Sequence, residues 1–396
     1  MMVPPLNPAL FHLDPDHLWL MHCADGPVPK SVSRSVQDFL HKELWPWQLR
    51  WNEDVLGLPR TLREAAARIV NGKPADISLT PNTSAALQTI SRSFPWKAGD
   101  EVVAPLGEFP SNVLPWQALA PRGITFHEVP LWEGHRSGWE STPPTAAMDF
   151  ENRLLRFART GARVLTVSWI RFQDGLKLDL GRLGKACREQ DVCLVVDGIQ
   201  GAGTGIPDLS GVGAFATGGH KGLLSPQGLG FLWTHPDFRK QLLPTGTWLS
   251  IEDPAMADTD LDRTWVADGR RLEPGGQNLM ACAAMIEALK VLLEPGIPAI
   301  AEHILRLQRQ LLAVLELRGI WLEEVRRLRA LLEADRLGPF LAFHHGGRGP
   351  QVMQELLEQG ARQGIYATVR EGYLRIAFHG WHEEGDTGRI AEWLDA

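Results

Sequence analysis

Between residues 149 and 199 the chain alternates twice between a helix-period segment and a short, almost wholly apolar run: DFENRLLRFARTG, RVLTVSWI, LGRLGKACREQ, VCLVVDG. No other feature limits the fold so tightly. Apolar runs of that length without polar alternation are strands buried on both faces, and a helix between each pair makes them parallel. The rhythm begins earlier, with RTLREAAARIV (60–70) as a helix, DISLT as a strand, SAALQTISRSF as a helix and EVVAPL as a buried strand. The expectation is an α/β fold with a large domain built on a mostly parallel sheet.

After about residue 276 the pattern changes. NLMACAAMIEALKVLLEPG and IAEHILRLQRQLLAVLELRG are long helix-period runs. FLAFHH, a helix from 350, and two short strands, GIYATVR and YLRIAFH, follow, the last two joined at Glu371-Gly372. This predicts a smaller α+β C-terminal domain. Proline and glycine gather at 241–276, a connection zone. The division expected is 1–30 as an N-terminal segment packing with the small domain, 31–276 as the large domain and 277–396 as the small one. A length of 396 residues exceeds what one core usually serves. The charged run EEVRRLRALLEADR reads as a solvated helix face.

Composition excludes some functions. A net charge of −7 argues against nucleic acid or an anionic membrane as the main partner. The N-terminal MMVPPLNPALFHLDPDH lacks the basic start and apolar stretch of a signal peptide, and no apolar run is long enough to span a bilayer. Cys23, Cys187, Cys193 and Cys282 show no CxxC or disulfide-like spacing, so the expectation is free thiols in a cytoplasmic protein. Fifteen tryptophans against two tyrosines point to packing and to an aromatic substrate pocket.

Ligands of open α/β sheets bind beyond the carboxyl ends of the strands, and several polar residues fall there. VCLVVDGIQ puts Asp197 just after a buried strand and Gln200 three residues on. VLTVSWIRFQDG delivers Ser168 and Gln173. SLTPNTSAAL sets Asn82, Thr83 and Ser84 where a strand gives way to a helix, whose free N–H groups and dipole make an anion site. Lys221 lies within GAFATGGHKGLLSPQGLGFLW, among glycines at 218, 219 and 222. Glycine serves where backbone passes close to something else. A buried lysine amine, a carboxylate and a phosphate cup are what pyridoxal phosphate needs for its imine, its ring nitrogen and its phosphate.

The Asp197–Lys221 block, VVDGIQGAG followed by GAFATGGHKGLLSPQGLGFLW, resembles the centre of the class V aminotransferase superfamily. That group includes cysteine desulfurases, selenocysteine lyases, kynureninases and isopenicillin-N-epimerase-like proteins. LTPNTSAALQTI, GEFPSNVLPWQAL, VSWIRFQDGLKLDL, RRLEPGGQN and LRIAFHG carry the resemblance over most of the chain. It implies fold-type I, a homodimer with active sites near the subunit interface, and these roles. Lys221 carries the cofactor as an imine, Asp197 keeps the ring nitrogen protonated, Gln200 bonds the ring hydroxyl oxygen, and His220 reaches the phosphate region. Thr83 and Ser84 belong to the phosphate cup, Phe109 stacks on the ring, and Ser168 and Thr217 complete the cofactor set. Arg375 binds the substrate α-carboxylate, by the bidentate geometry arginine favours.

The departures count as well. Gly218 stands where the family has a serine, and the motif EPGT reads Glu273-Pro274-Gly275-Gly276, so two hydroxyl donors to phosphate are missing. No cysteine follows Cys282, which argues against a desulfurase that shuttles sulfur on a mobile-loop thiol. The residue pattern supports an amino-acid enzyme in which Lys221, displaced by the substrate amine, acts as base at Cα. The resemblance favours aminotransferase or epimerase-like chemistry over a β-lyase without a catalytic cysteine, and a non-catalytic relative remains the contrasting class. Substrate identity is not legible. His344-His345 and His379/His382 lack companion ligands at metal spacing, so no metal is expected. GIQGAGTG does not fit the dinucleotide-binding GxGxxG.

Overall fold

The computed structural model describes residues 3–130, 144–159, 161–252, 263–345 and 348–395. Part of the 241–276 connection zone, residues 253–262, lies outside them.

A short strand, β1 (Leu18–Trp19), precedes the helices α1 (Lys30–Leu44) and α2 (Gly57–Ile69). Helix α2 buries Leu62, Ala66 and Ile69 along one stripe and leaves Arg60 and Arg68 exposed, the 3.6-residue period read from its sequence. Then come β2 (Ile77–Thr80), α3 (Thr83–Ser93), β3 (Glu101–Pro105), α4 (Leu114–Gln117) and β4 (Thr125–Val129). They are followed by α5 (Pro144–Ala158), β5 (Ala162–Ser168), α6 (Leu180–Arg188) and β6 (Cys193–Asp197). Two antiparallel strands, β7 (Ala214–Gly218) and β8 (Gly230–Thr234), lead into α7 (Pro236–Gln241).

These strands form one seven-stranded sheet in the order β2-β8-β7-β6-β5-β3-β4. Only β8 runs antiparallel to its neighbours; the rest is parallel. Strands β2, β7 and β8 are buried along their whole length, as their apolar runs require, whereas β4 at the edge exposes Thr125 and Glu128. From β3 the chain steps outward to β4 and then returns to β5 on the other side. The connections leaving β3 and β5 therefore diverge and open a crevice at the carboxyl edge.

The C-terminal part holds α8 (Leu279–Leu293), α9 (Ile297–Arg318) and α10 (Leu322–Glu333), then β9 (Phe340–His344) and α11 (Gln351–Arg362). Last come β10 (Ile365–Tyr366), β11 (Thr368–Arg370), β12 (Tyr373–Ala377) and α12 (Glu384–Asp395). Strands β11, β12 and β9 make an antiparallel sheet. The hairpin between β11 and β12 turns on Glu371 (φ 48°) and Gly372 (φ 83°), the two positive φ values that match the strands' twist. GIYATVR is two strands rather than one: β11 pairs with β12, but β10 pairs in parallel with β1. The N-terminal segment is thus stitched to the C-terminal part, with Leu6 N–H also donating to the Gly380 carbonyl at 3.0 Å.

Helix α10 is not simply a solvated face. Glu324 is buried and accepts from the His344 amide and from Arg327, both at 3.0 Å, while Arg327 donates to the Ala342 carbonyl at 2.6 Å. Two further buried carboxylates tie layers together. Glu151 on α5 accepts from the Asp179 amide at 2.9 Å and from Arg182 and Arg336, each at 2.6 Å. Glu273 accepts both arms of Arg63 on α2 at 2.9 Å, the Leu79 amide of β2 at 3.0 Å and Gln277 at 3.1 Å. The tryptophans are used largely as packing and donors: Trp116 and Trp393 are fully buried, and Trp393 Nε1 donates to Leu356 O at 2.8 Å.

Because Glu273 is 0 % exposed and Arg63 nearly buried, removing the carboxylate strands a guanidinium and an amide. Glu273→Ala is expected to cost about 3–5 kcal/mol in urea unfolding; an unchanged midpoint would contradict this picture of the α2–β2 junction.

Candidate active site

The site grows out of strand register. Asp197 ends β6 and Ser168 ends β5; the two are partners across the parallel ladder, and Trp169 N–H donates to the Asp197 carbonyl at 2.9 Å. On its other side Asp197 faces Ala216 of β7. Beyond β7 the chain folds back at once, Gly219 N–H donating to Leu229 O and Ser225 N–H to Gly219 O, both at 2.9 Å, with Lys221 at the crest. Helix α3 points its N-terminus into the same space. Asn82 caps it by accepting from Ala85 N–H at 2.9 Å, and the first backbone helix bond belongs to Ala86, so Thr83 and Ser84 sit in the turn whose amides face outward.

Thr83, Ser84, Phe109, Ser168, Asp197, Gln200, His220 and Lys221 all line one cavity of about 140 Å³. Thr217 and Arg375 are not among its lining residues. The Thr217 hydroxyl donates to the neighbouring Gly218 carbonyl at 3.1 Å. Arg375, on β12, donates from Nη1 to the Phe172 carbonyl at 2.7 Å, and its buried Nε has no partner among the described residues. Phe109 is half exposed, packs edge-on against Phe172 (centroids 5.3 Å apart) and has Lys221 Nζ 6.0 Å from its ring centre. No tryptophan among the described residues lines this cavity, whose aromatic rings are those of Phe109 and Phe172.

The glycines around Lys221 answer to backbone contact. A Cβ on Gly203, which has φ 87°, would lie 2.2 Å from Gly222 O, and one on Gly26 would lie 2.3 Å from Lys221 O. Main chain from two other segments therefore presses directly on the lysine turn. Gly26 N–H also donates to His220 O at 2.8 Å. From the C-terminal part, His379 Nε2 reaches Gly222 O at 3.0 Å; since Gly380 N–H donates to its Nδ1 at 2.8 Å, Nε2 carries the proton. Burial holds His379 neutral, down to about 3.

Burial also dominates the charges. It raises Asp197 to about 7, against the Ile199 N–H bond (3.0 Å), with Glu108 adding to the rise and Lys221 opposing it. It lowers Lys221, against the pull of Asp197 and Cys23, and Arg375 lowers it further. The base-like amine and the proton-prone carboxyl are what desolvation leaves when no ligand offsets it.

Among the described residues, two buried polar atoms at this cavity, Thr83 Oγ1 and Gln200 Oε1, have no hydrogen-bond partner, and neither has Arg375 Nε on β12. Together with the α3 N-terminus, Asp197 and Lys221, that set fits a ligand with a phosphate, a polar aromatic ring and an aldehyde, which is pyridoxal phosphate. Gln200 Nε2 donates to Cys23 O at 3.1 Å, so its carbonyl oxygen is the end left for a ligand.

Sequence reasoning missed Cys23, Glu108, Ser111 and Phe172. Glu108 and Ser111 stand inside the quoted GEFPSN, where only Phe109 drew attention; Ser111 Oγ lies 2.6 Å from Ser84 Oγ. Cys23 carried no local signal, because strand pairing far away brings it beside Lys221 and Arg375, whose charges its thiol feels. Among the described residues no group of three or more His, Cys, Asp or Glu is arranged to hold a metal. A larger hollow, about 570 Å³, lies away from Lys221 and is lined by Arg63, Trp248, Arg270 and Gly276. No helix among the described residues is long and apolar enough to cross a membrane.

The model of the family described as aminotransferase class-V matches residues 24–364. A probable cysteine desulfurase of Methanothermobacter thermautotrophicus is 26% identical over 389 residues, covering 95% of this chain and 90% of the relative. Isopenicillin N epimerase of Streptomyces clavuligerus is 28% identical over 397 residues, covering 97% and 96%. Among solved structures, the cystine C–S lyase C-DES with glycine covalently linked to its PLP cofactor superposes with a TM-score of 0.78 at 21% identity, over 94% of each chain.

The raised Asp197 makes stability depend on pH. Its folded value, about 7, lies above the unfolded 3.8, so the folded state holds a proton that the unfolded state has lost, and stability falls as pH rises between the two values. In cofactor-free protein, Asp197→Asn should therefore gain roughly 2–3 kcal/mol relative to the parent between pH 5 and pH 8. Urea melts at both pH values test this, and a pH-independent difference would refute it.

Proposed function

The chain belongs to the aminotransferase class-V family, and on that premise we propose that it is a pyridoxal-phosphate enzyme acting on an amino acid by transamination or epimerisation. One observation carries the reading: Lys221 and Asp197, both desolvated, share a cavity with the N-terminus of α3. When bound, pyridoxal phosphate supplies an electron-withdrawing ring that stabilises negative charge at the substrate Cα. The residues do the rest. Asp197 holds a proton at the ring nitrogen, and Gln200 offers its free carboxamide oxygen to the ring hydroxyl. Thr83, Ser84 and His220 receive the phosphate, with the helix dipole of α3 making up for the hydroxyls that Gly218 and Gly276 lack. Phe109 covers the ring face. Lys221, whose amine gives up its proton more readily because it is buried, takes and returns the Cα proton. Arg375 orients the substrate carboxylate.

The thiols support this branch over a sulfur shuttle. Burial pushes Cys187 and Cys282 up to about 12 and Cys193 to about 11, and it raises Cys23 as well, so none of the four is a ready thiolate. A β-lyase that needs no catalytic thiol is the second reading, and the matching cystine C–S lyase fold favours keeping it. Within this reading residues 31–276 form the cofactor-binding unit, and 277–396 with 1–30 form the smaller one. Free thiols fit a reducing cytoplasm.

A panel of amino acids supplied without keto acid separates the reactions. Stoichiometric conversion to pyridoxamine phosphate means transamination; loss of optical activity means epimerisation; continuing release of pyruvate or alanine with a side-chain fragment means lyase chemistry. Lys221→Ala is expected to lose both the visible cofactor band and turnover, and turnover at the parent's rate would sink the assignment. Amines without a carboxylate should react at least about tenfold less well, the loss of one charge-assisted bidentate contact.

We further propose a homodimer. Leu44, Trp45, Trp47 and Trp51 are exposed together, and the Trp51 ring lies 5.9 Å from Trp248, which lines the larger hollow with Gly276. Aromatic surface of this kind is what stable interfaces cover. Light scattering should give twice the chain mass; a single-chain mass would overturn it.

A further inference from the structure

Glu108 sits in the turn that follows β3, immediately before Phe109, and is only 8 % exposed. Among the described residues, its carboxylate accepts three hydrogen bonds. Ser168 N–H donates to Oε1 at 2.8 Å, the Ser168 hydroxyl donates to Oε2, and Asn112 Nδ2 donates to Oε2 at 3.3 Å. The Asn112 amide is itself fixed, because Thr166 Oγ1 donates to its Oδ1 at 2.5 Å, which turns the NH₂ toward Glu108. Three donors around two oxygens are the partners a carboxylate, which only accepts, requires. No cation lies within ion-pair distance of it among the described residues. Arg171, whose charge it does feel, is paired with Asp174 at 3.1 Å.

An unpaired buried charge is expensive, and an all-donor cradle built to keep it calls for a use. Its position supplies one. Ser168, which gives Glu108 two of its three bonds, is the register partner of Asp197 across β5 and β6. Glu108 and Asp197 are thus joined through the end of β5, the strand that lies between β3 and β6, and Ser168 lines the cavity together with Asp197. We propose that Glu108 is a positioning residue for the cofactor: its fixed charge, carried by Ser168 one strand away from Asp197, holds the proton shared by Asp197 and the ring nitrogen. Ser168 serves the cofactor through Glu108. The inference rests on the reading that pyridoxal phosphate occupies this cavity.

The charges facing Asp197 come from several elements. The turn after β3 brings Glu108 and the loop after β7 brings Lys221, which oppose each other in their effect on it. Cys23, Asp25 and Arg375 act on Lys221 from the N-terminal segment and β12. Of the charges that act directly on Asp197, Glu108 is the negative one. A second negative charge beside Asp197 strengthens its hold on any proton placed between it and a ring nitrogen. Removing that charge must make the proton easier to lose, whatever the reaction at Cα.

The test is the ring nitrogen of bound cofactor labelled with ¹⁵N, followed by NMR against pH in the loaded full-length protein. Glu108→Gln keeps the shape and removes the charge, and its ring should give up its proton at a pH lower than the parent's by roughly one unit or more. Glu108→Asp, which keeps the charge, should shift it by less than half as much. Should Glu108→Gln fail to fold, Glu108→Asn set against Glu108→Asp compares side chains of equal length that differ in charge, and the same gap is expected. A neutral variant whose ring keeps its proton as far up in pH as the parent overturns the inference alone. A parent chain that takes up no cofactor overturns the functional reading, and this inference with it.

Discussion

The parallel register of β5, β6 and β7 is the constraint on which the site depends. It sets Ser168 beside Asp197 and Asp197 beside Ala216 at one edge of the sheet, so that the loops leaving these strands must share the same space. A slip of one residue would turn Asp197 to the opposite face of the sheet. The neighbouring apolar residues forbid it: Val195, Val196, Ala214 and Phe215 are all buried, on both faces, and each face demands its own set. The hydrophobic core thereby fixes the position of a carboxylate that contributes nothing to the core.

The molecule treats buried charge in two ways. In the scaffold it is fully satisfied: Glu273 and Glu151 each meet arginine and a backbone amide, and their geometry leaves little unmet. At the cavity it is left short. Among the described residues the Asp197 carboxylate accepts one backbone bond, from the Ile199 amide, and Thr83 Oγ1 and Gln200 Oε1 have no partner, nor has Arg375 Nε on β12. Such local deficits are tolerated where something else is meant to fill them. The deficit marks the ligand's place more sharply than cavity size does, since larger hollows lie elsewhere.

Much of this was legible in the sequence, because the large sheet announces itself by apolar runs and the site residues follow those runs directly. Ser168 and Asp197 are the last residues of their strands, Lys221 follows shortly after the end of another, and Thr83 and Ser84 open a helix. What sequence could not yield depends on long-range pairing. Cys23 reaches Lys221 only because β1 joins β10. The split of GIYATVR into two strands reflects a change of partner, which period-two patterning does not record. Glu108 was overlooked for a different reason: an acidic residue in a turn looks solvated until its donors are seen. The burial of Glu324 and Arg327 in α10 was hidden in the same way, as a charge run whose inner members pair with each other and with β9.

The stitch between the chain's two ends has a consequence for the order of assembly. The wall that presses on the lysine turn comes from residues near position 26, and the histidine that holds Gly222 comes from position 379. The N-terminal segment is itself anchored by residues 364–366 and 380. During synthesis the sheet, with its carboxylate and its lysine, emerges long before its clamp. Residues 18–20 must wait, unpaired, for residues 364–366 to be made. Until these and His379 emerge, the lysine turn is open on two sides.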